Sequence, residues 1–95
     1  MKRIILDSRE FNNKEQFHDI IKDKLDFPEY YGKNLDALWD CLTGWIDLPL
    51  KLEWHGFNES KSKLGDYAEK ILDVFHEAEE ELEGFKFEVI VDARQ

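Results

Sequence analysis

Two aspartates four residues apart, Asp36 and Asp40, are the side chains of this 95-residue chain best placed to do chemistry. A carboxylate pair can hydrolyse a glycoside, one group protonating the leaving oxygen while the other attacks or activates water. With His55 or His76 the same pair could ligate a metal. Cys41, next in sequence, could act as a nucleophile. Each reading meets an objection. Hydrolytic carboxylates work in a concave pocket, and a short surface helix is a poor one. Nothing in the sequence brings either histidine to the aspartates. Gly32-Lys33 lacks the glycine spacing before a Lys-Ser/Thr pair that cradles phosphate, and no Cys–His spacing fits zinc. An enzyme therefore ranks last, and no metal or cofactor is expected.

The element that must position Asp36 and Asp40 is a short helix. Pro28 biases Phe27 away from helical geometry, so a preceding helix stops there and a loop runs from Phe27 to Lys33. Asn34 reads as an N-cap whose side-chain oxygen can accept a first-turn N–H. Gly44 is expected to end the helix in a left-handed turn. On a 3.6-residue period Leu35, Leu38, Cys41 and Leu42 share the apolar face, which makes Cys41 a buried free thiol. Asp36, Asp40 and Thr43 fall on the opposite stripe, with Trp39 at the boundary.

That stripe breaks local rules. Asp36 lies in the first turn, where the helix dipole favours a negative charge; Asp40 lies in the second half, where it does not. Like charges four apart typically cost about 0.2–0.5 kcal/mol. Tyr30, Tyr31, Trp39 and Trp45 flank the helix. The bland reading is a solvated acidic face with its aromatics in the core. The sharper one is a binding face, since tyrosine, tryptophan and charged groups at a helix end are common interface anchors.

Length implies a single domain over residues 1–95. Hydrophobic residues make up 42% of the chain, enough for a core, and no apolar run approaches the roughly 20 residues of a membrane span. Lys2-Arg3 precedes only Ile4-Ile5-Leu6, too short for a signal-peptide core, and Cys41 is the one cysteine, so a cytoplasmic location is expected. The formal net charge of −9 disfavours nucleic acid and favours a basic partner, and with no long apolar run no membrane partner is expected.

In order, Lys2–Asp7 reads as a buried strand. A helix follows, opened by Asn12 with Glu15 or Asn13 with Gln16, carrying Phe17, Ile20, Ile21 and Leu25, with His18 solvated on its polar side. Leu48–Trp54 alternates as a strand that begins at Pro49. Gly56–Leu64 reads as a short helix. Asp66 with Glu69 is expected to cap a longer one, along whose apolar stripe Ala68, Ile71, Leu72, Phe75 and Leu82 are interrupted by Glu79. Gly84 ends it. Phe85–Asp92 is β-prone, and Asp92–Gln95 a frayed tail. Strands separated by helices predict an α/β fold with parallel pairing.

The run PEYYGKNLDALWDCLTGW, from Pro28 to Trp45, resembles the barstar family, intracellular protein inhibitors of barnase-type secreted ribonucleases. The likeness continues through Pro49-Leu50, LEW at 52–54, and Val74, Phe75, Glu77 and Ala78. It is dense from Asp26 to Ala78, thinner before and loose after Glu79. It implies a three-stranded parallel sheet packed with about four helices, a cis Leu48–Pro49 bond, and inhibition of a basic ribonuclease by a monomer that blocks the active site. By position, Tyr30 would pack on the ribonuclease's catalytic histidine. Asp40 would enter the active site and pair with its basic residues. Asp36 and Glu77 would meet a second arginine, and Asn34, Leu35, Trp39, Thr43, Gly44 and Trp45 would complete the contact. The alternative is an interaction module on the same scaffold whose partner is not a ribonuclease.

Three departures from the family pattern stand out. Lys33 replaces an acidic residue of the binding loop. Phe85 lies near the place of a second cysteine. The end of the long helix and its turn are about two residues longer.

Overall fold

The computed structural model describes residues 1–90; the Asp92–Gln95 tail and the end of the last predicted strand lie outside them. Three strands, β1 (Lys2–Asp7), β2 (Leu50–His55) and β3 (Phe85–Ile90), form one sheet in the order β1-β2-β3, all parallel. Helices α1 (Lys14–Leu25) and α2 (Leu35–Gly44) connect the first two strands, and α3 (Phe57–Leu64) and α4 (Asp66–Glu81) the last two. The α/β architecture expected from the sequence is the one observed. Right-handed crossovers that step the same way across a sheet put their helices on the same face. Leu6, Leu50, Leu52, Trp54, Phe85 and Phe87 accordingly meet Phe17, Ile21, Leu38, Ala68, Ile71 and Phe75 in one core.

The other face of the sheet carries charge. The register aligns Arg3, Lys51 and Lys86 in one row and Ile5, Glu53 and Glu88 in the next. Glu53 is buried among cations: Arg3 donates to it at 2.7 and 3.0 Å, and Lys51 lies 3.6 Å away. The Arg3 guanidinium holds that carboxyl at about 2. Ile5 is exposed on this face, so β1 is buried on one side only, not throughout.

Of the two openings the sequence offers for α1, Asn13 with Gln16 is the one formed, and Gln16 places its side-chain oxygen on the Asn12 N–H at 2.8 Å. Other local expectations change. The predicted cap at Asp66 is absent: Gly65 precedes α4 with φ +63 and no side-chain bond. Glu69 is instead 2.6 Å from Lys61. Regular pairing of β2 starts at Leu50, after the Leu48–Pro49 bond, which is cis. Glu79, the polar residue in the apolar stripe of α4, accepts the Phe87 N–H at 3.1 Å and ties helix to strand. His18 is buried, not solvated.

Candidate functional site

The candidate helix α2 begins where the sequence places it. Asn34 is extended, and its Oδ1 accepts the Ala37 N–H at 2.7 Å. Leu38, Cys41 and Leu42 face the core, and α2 packs against α4. Burial, with Asp40 contributing, raises the Cys41 thiol, which keeps it protonated and unreactive. Asp36 and Asp40 are both exposed on the outer side, and neither has an ion pair among the described residues.

The end of α2 differs from expectation. Gly44 is the last helical residue and is not left-handed; Trp45 caps the helix with φ −124, and its N–H donates to Cys41 at 3.0 Å. A Cβ on Gly44 would meet nothing within 4 Å. Neither backbone conformation nor packing within the chain therefore requires glycine there.

The preceding loop separates its two tyrosines. Tyr31 is buried against Phe27, ring centroids 4.8 Å apart, whereas Tyr30 is 80% exposed. Tyr30 meets the half-exposed Trp45 edge to face at 6.4 Å. The Trp45 indole donates to the Asp26 carbonyl at 2.8 Å, so the far end of α2 is tied to the start of the loop. Asp26 and Lys33, at the two ends of the loop, are the described non-glycine residues with positive φ, 58° and 57°.

The other predicted contact residues have mixed surroundings. Asn34 spends its side chain on the cap, while Leu35 and Trp39 pack their inner edges on the core. The Thr43 hydroxyl donates to the Trp39 carbonyl at 2.8 Å. Glu77 is exposed on α4, the helix that packs beside α2. The structure thus gathers Tyr30, Trp45 and α2 onto one surface, with Glu77 on the adjoining helix. The aspartates are not joined by a histidine. His55 bonds to Glu53 at 3.1 Å, and His76 lies edge-on to Phe87 at 5.1 Å. Among the described residues no metal-ligating group of three His, Cys, Asp or Glu side chains occurs. No described helix is long and apolar enough to cross a membrane.

Sequence comparison decides the family. The family model described as Barstar (barnase inhibitor) matches residues 1–93. The chain belongs to the barstar family. It is also 56% identical over 92 residues to a Bacillus subtilis (strain 168) protein named "Putative ribonuclease inhibitor YrdF", an alignment that covers 97% of this chain and all of that protein. The barstar fold and this acidic, aromatic-flanked helix therefore occur together in a family described by its inhibition of barnase.

One residue near the site, expected on the solvated side of α1, is buried instead. His18 lies beneath the loop, its Nδ1 2.6 Å from the Tyr31 hydroxyl and its Nε2 2.7 Å from that of Tyr67. Its partners are 13 and 49 residues away, so helical periodicity could not reveal them.

Proposed function

We propose that this chain is a cytoplasmic immunity protein, monomeric when free, that inhibits a basic barnase-type extracellular ribonuclease by covering its active site. The observation that carries this reading is a pair of exposed carboxylates, Asp36 and Asp40, that have no ion pair among the described residues and lie on the outer stripe of a helix whose neighbouring Tyr30 is 80% exposed. A ribonuclease active site must hold phosphates, so it is a cationic cleft; an acidic convex helix matches it in charge and shape. Asp40 would stand where a substrate phosphate binds, with Tyr30 against the catalytic histidine and Asp36 and Glu77 toward a second arginine. Asn34, Leu35, Trp39, Thr43, Gly44 and Trp45 would form the rest of the contact. Occupation of the cleft suffices, so the protein itself performs no catalysis. The name of the Bacillus subtilis relative supports the same partner class.

The test is a titration of RNA cleavage by a barnase-type enzyme. Cleavage is expected to vanish at one equivalent of this protein. Unchanged cleavage at saturating excess would overturn the assignment and leave an interaction module with another partner.

A further inference from the structure

We propose that His18 is a positioning residue, whose two ring nitrogens lock the Tyr31 hydroxyl of the binding loop to the Tyr67 hydroxyl of α4 and so fix the loop that presents Tyr30. The inference rests on the inhibitory reading for its consequence, but its geometry stands alone.

His18 is 1% exposed and Tyr31 6% exposed. A neutral imidazole has one N–H and one bare nitrogen, so it donates to one tyrosine and accepts from the other; either tautomer satisfies both bonds. Burial pushes the His18 imidazole down to about 4, with Lys33 adding to the effect and Asp19 opposing it, so the ring is neutral near pH 7. Burial likewise raises both the Tyr31 and Tyr67 phenols, which remain protonated and able to donate. The Lys14 ammonium also sits over the Tyr67 ring, 4.7 Å from its centroid.

The start of the loop is tied to α1 by the Phe27 N–H, which donates to the Lys22 carbonyl at 3.0 Å; beyond it the side-chain ties to α1 are Lys33 to Asp19 at 2.8 Å and Lys22 to Glu29 at 3.4 Å, both partly solvated. Exposed pairs of this kind hold weakly. The buried His18–Tyr31 bond is the side-chain tie that solvent cannot replace. It reaches the residue adjacent to Tyr30, and the Tyr31 N–H also donates to the Pro28 carbonyl at 3.0 Å. A partner that needs Tyr30 in one place binds more weakly when the loop samples others, in proportion to the competent fraction.

The experiment compares wild type, Tyr31→Phe, His18→Gln and the double variant, each first shown to be folded. Loop order is read by amide relaxation of residues 27–33 in the free protein, and affinity by titration with a barnase-type ribonuclease. Tyr31→Phe is expected to loosen the loop amides relative to those of α2 and to weaken binding about five- to tenfold. The double variant is expected to bind no worse than the weaker single one, because both changes break the same bond. In a Tyr30→Ala background the Tyr31→Phe effect should shrink below about twofold, which a merely structural role would not produce. If wild type fails to bind the ribonuclease, the inhibitory reading falls, and loop relaxation alone decides the positioning claim. Loop amides as rigid in Tyr31→Phe and His18→Gln as in wild type would overturn it, as would an affinity loss that persists unchanged without the Tyr30 ring.

Discussion

The ammonium of Lys33 lies 2.8 Å from the Asp19 carboxylate, so the one cation of the loop before α2 is turned back onto α1. Lys33 holds φ +57, a left-handed conformation that disfavours a lysine. Lys33→Gly would relieve that strain but lose an exposed ion pair and add freedom to the unfolded chain. Its urea midpoint should therefore stay close to that of wild type. Lys33→Glu would meet Asp19 with a like charge and should cost less than about 1 kcal/mol, yet speed association with a basic partner. A slower Lys33→Glu association would contradict the placement of this loop at the contact.

The charge of −9 should steer that encounter. At low salt the association rate is expected to exceed the roughly 10⁵–10⁶ M⁻¹s⁻¹ of unsteered pairs. It should fall as salt shortens the Debye length to about 3 Å at 1 M. Stopped-flow rates indifferent to ionic strength would contradict steering.

His18 makes stability depend on pH in a defined window. Its folded value is about 4, and an unfolded histidine titrates near 6.5. Between these values the unfolded chain binds a proton that the folded chain refuses. The contribution is therefore fully present above about pH 6.5 and is lost as pH falls toward 4, by up to ~3 kcal/mol. Urea unfolding of His18→Gln should lack this component of the slope, leaving only that of the carboxylates. An identical slope in both proteins would show that His18 is not held neutral.

Glu79 joins α4 to β3 through the Phe87 N–H at 3.1 Å. Glu79→Ala strips that donor of its partner and should cost about 1–3 kcal/mol. Glu79→Gln keeps an acceptor and should cost less. Equal losses for the two variants in urea midpoints would argue against the bond.

The alternation of strands with helices, the helix count and the Asn34 cap were legible because each rests on local pattern: a β-prone run, a 3.6-residue period, an Asn before an apolar run. What was not legible depended on distant partners. Tyr30 and Tyr31 sit in a loop without a period, so nothing local says which is buried. His18 follows Phe17 on α1, and only the arrival of Tyr31 and Tyr67 makes its position an interior one. Glu69 fits a capping box with Asp66, but Lys61 on the preceding helix is the partner it takes. Glu79 was visible as an interruption in the apolar stripe, while the strand amide that explains it was not. Gly44 looked like a helix terminator, yet its backbone does not require glycine and its outer side is open. Under the proposed function that open side faces the partner.

The most direct test of the account is the dissociation constant of Asp40→Ala with a barnase-type ribonuclease, measured beside wild type. In the free protein Asp40 faces Asp36 one turn away and opposes the helix dipole, terms of a few tenths up to about 1 kcal/mol. Alanine is also the better helix former, so the free variant should be as stable as wild type or slightly more so. In the complex the carboxylate would be desolvated among cations, and truncating it would leave them unpaired. Such losses run to about 2–5 kcal/mol or more, a range that already includes the barnase–barstar pair and is carried over from it. The account predicts a dissociation constant raised by roughly 30-fold to several thousand-fold in a variant that remains fully folded. An unchanged dissociation constant would contradict it, because the partner would then not use this helix.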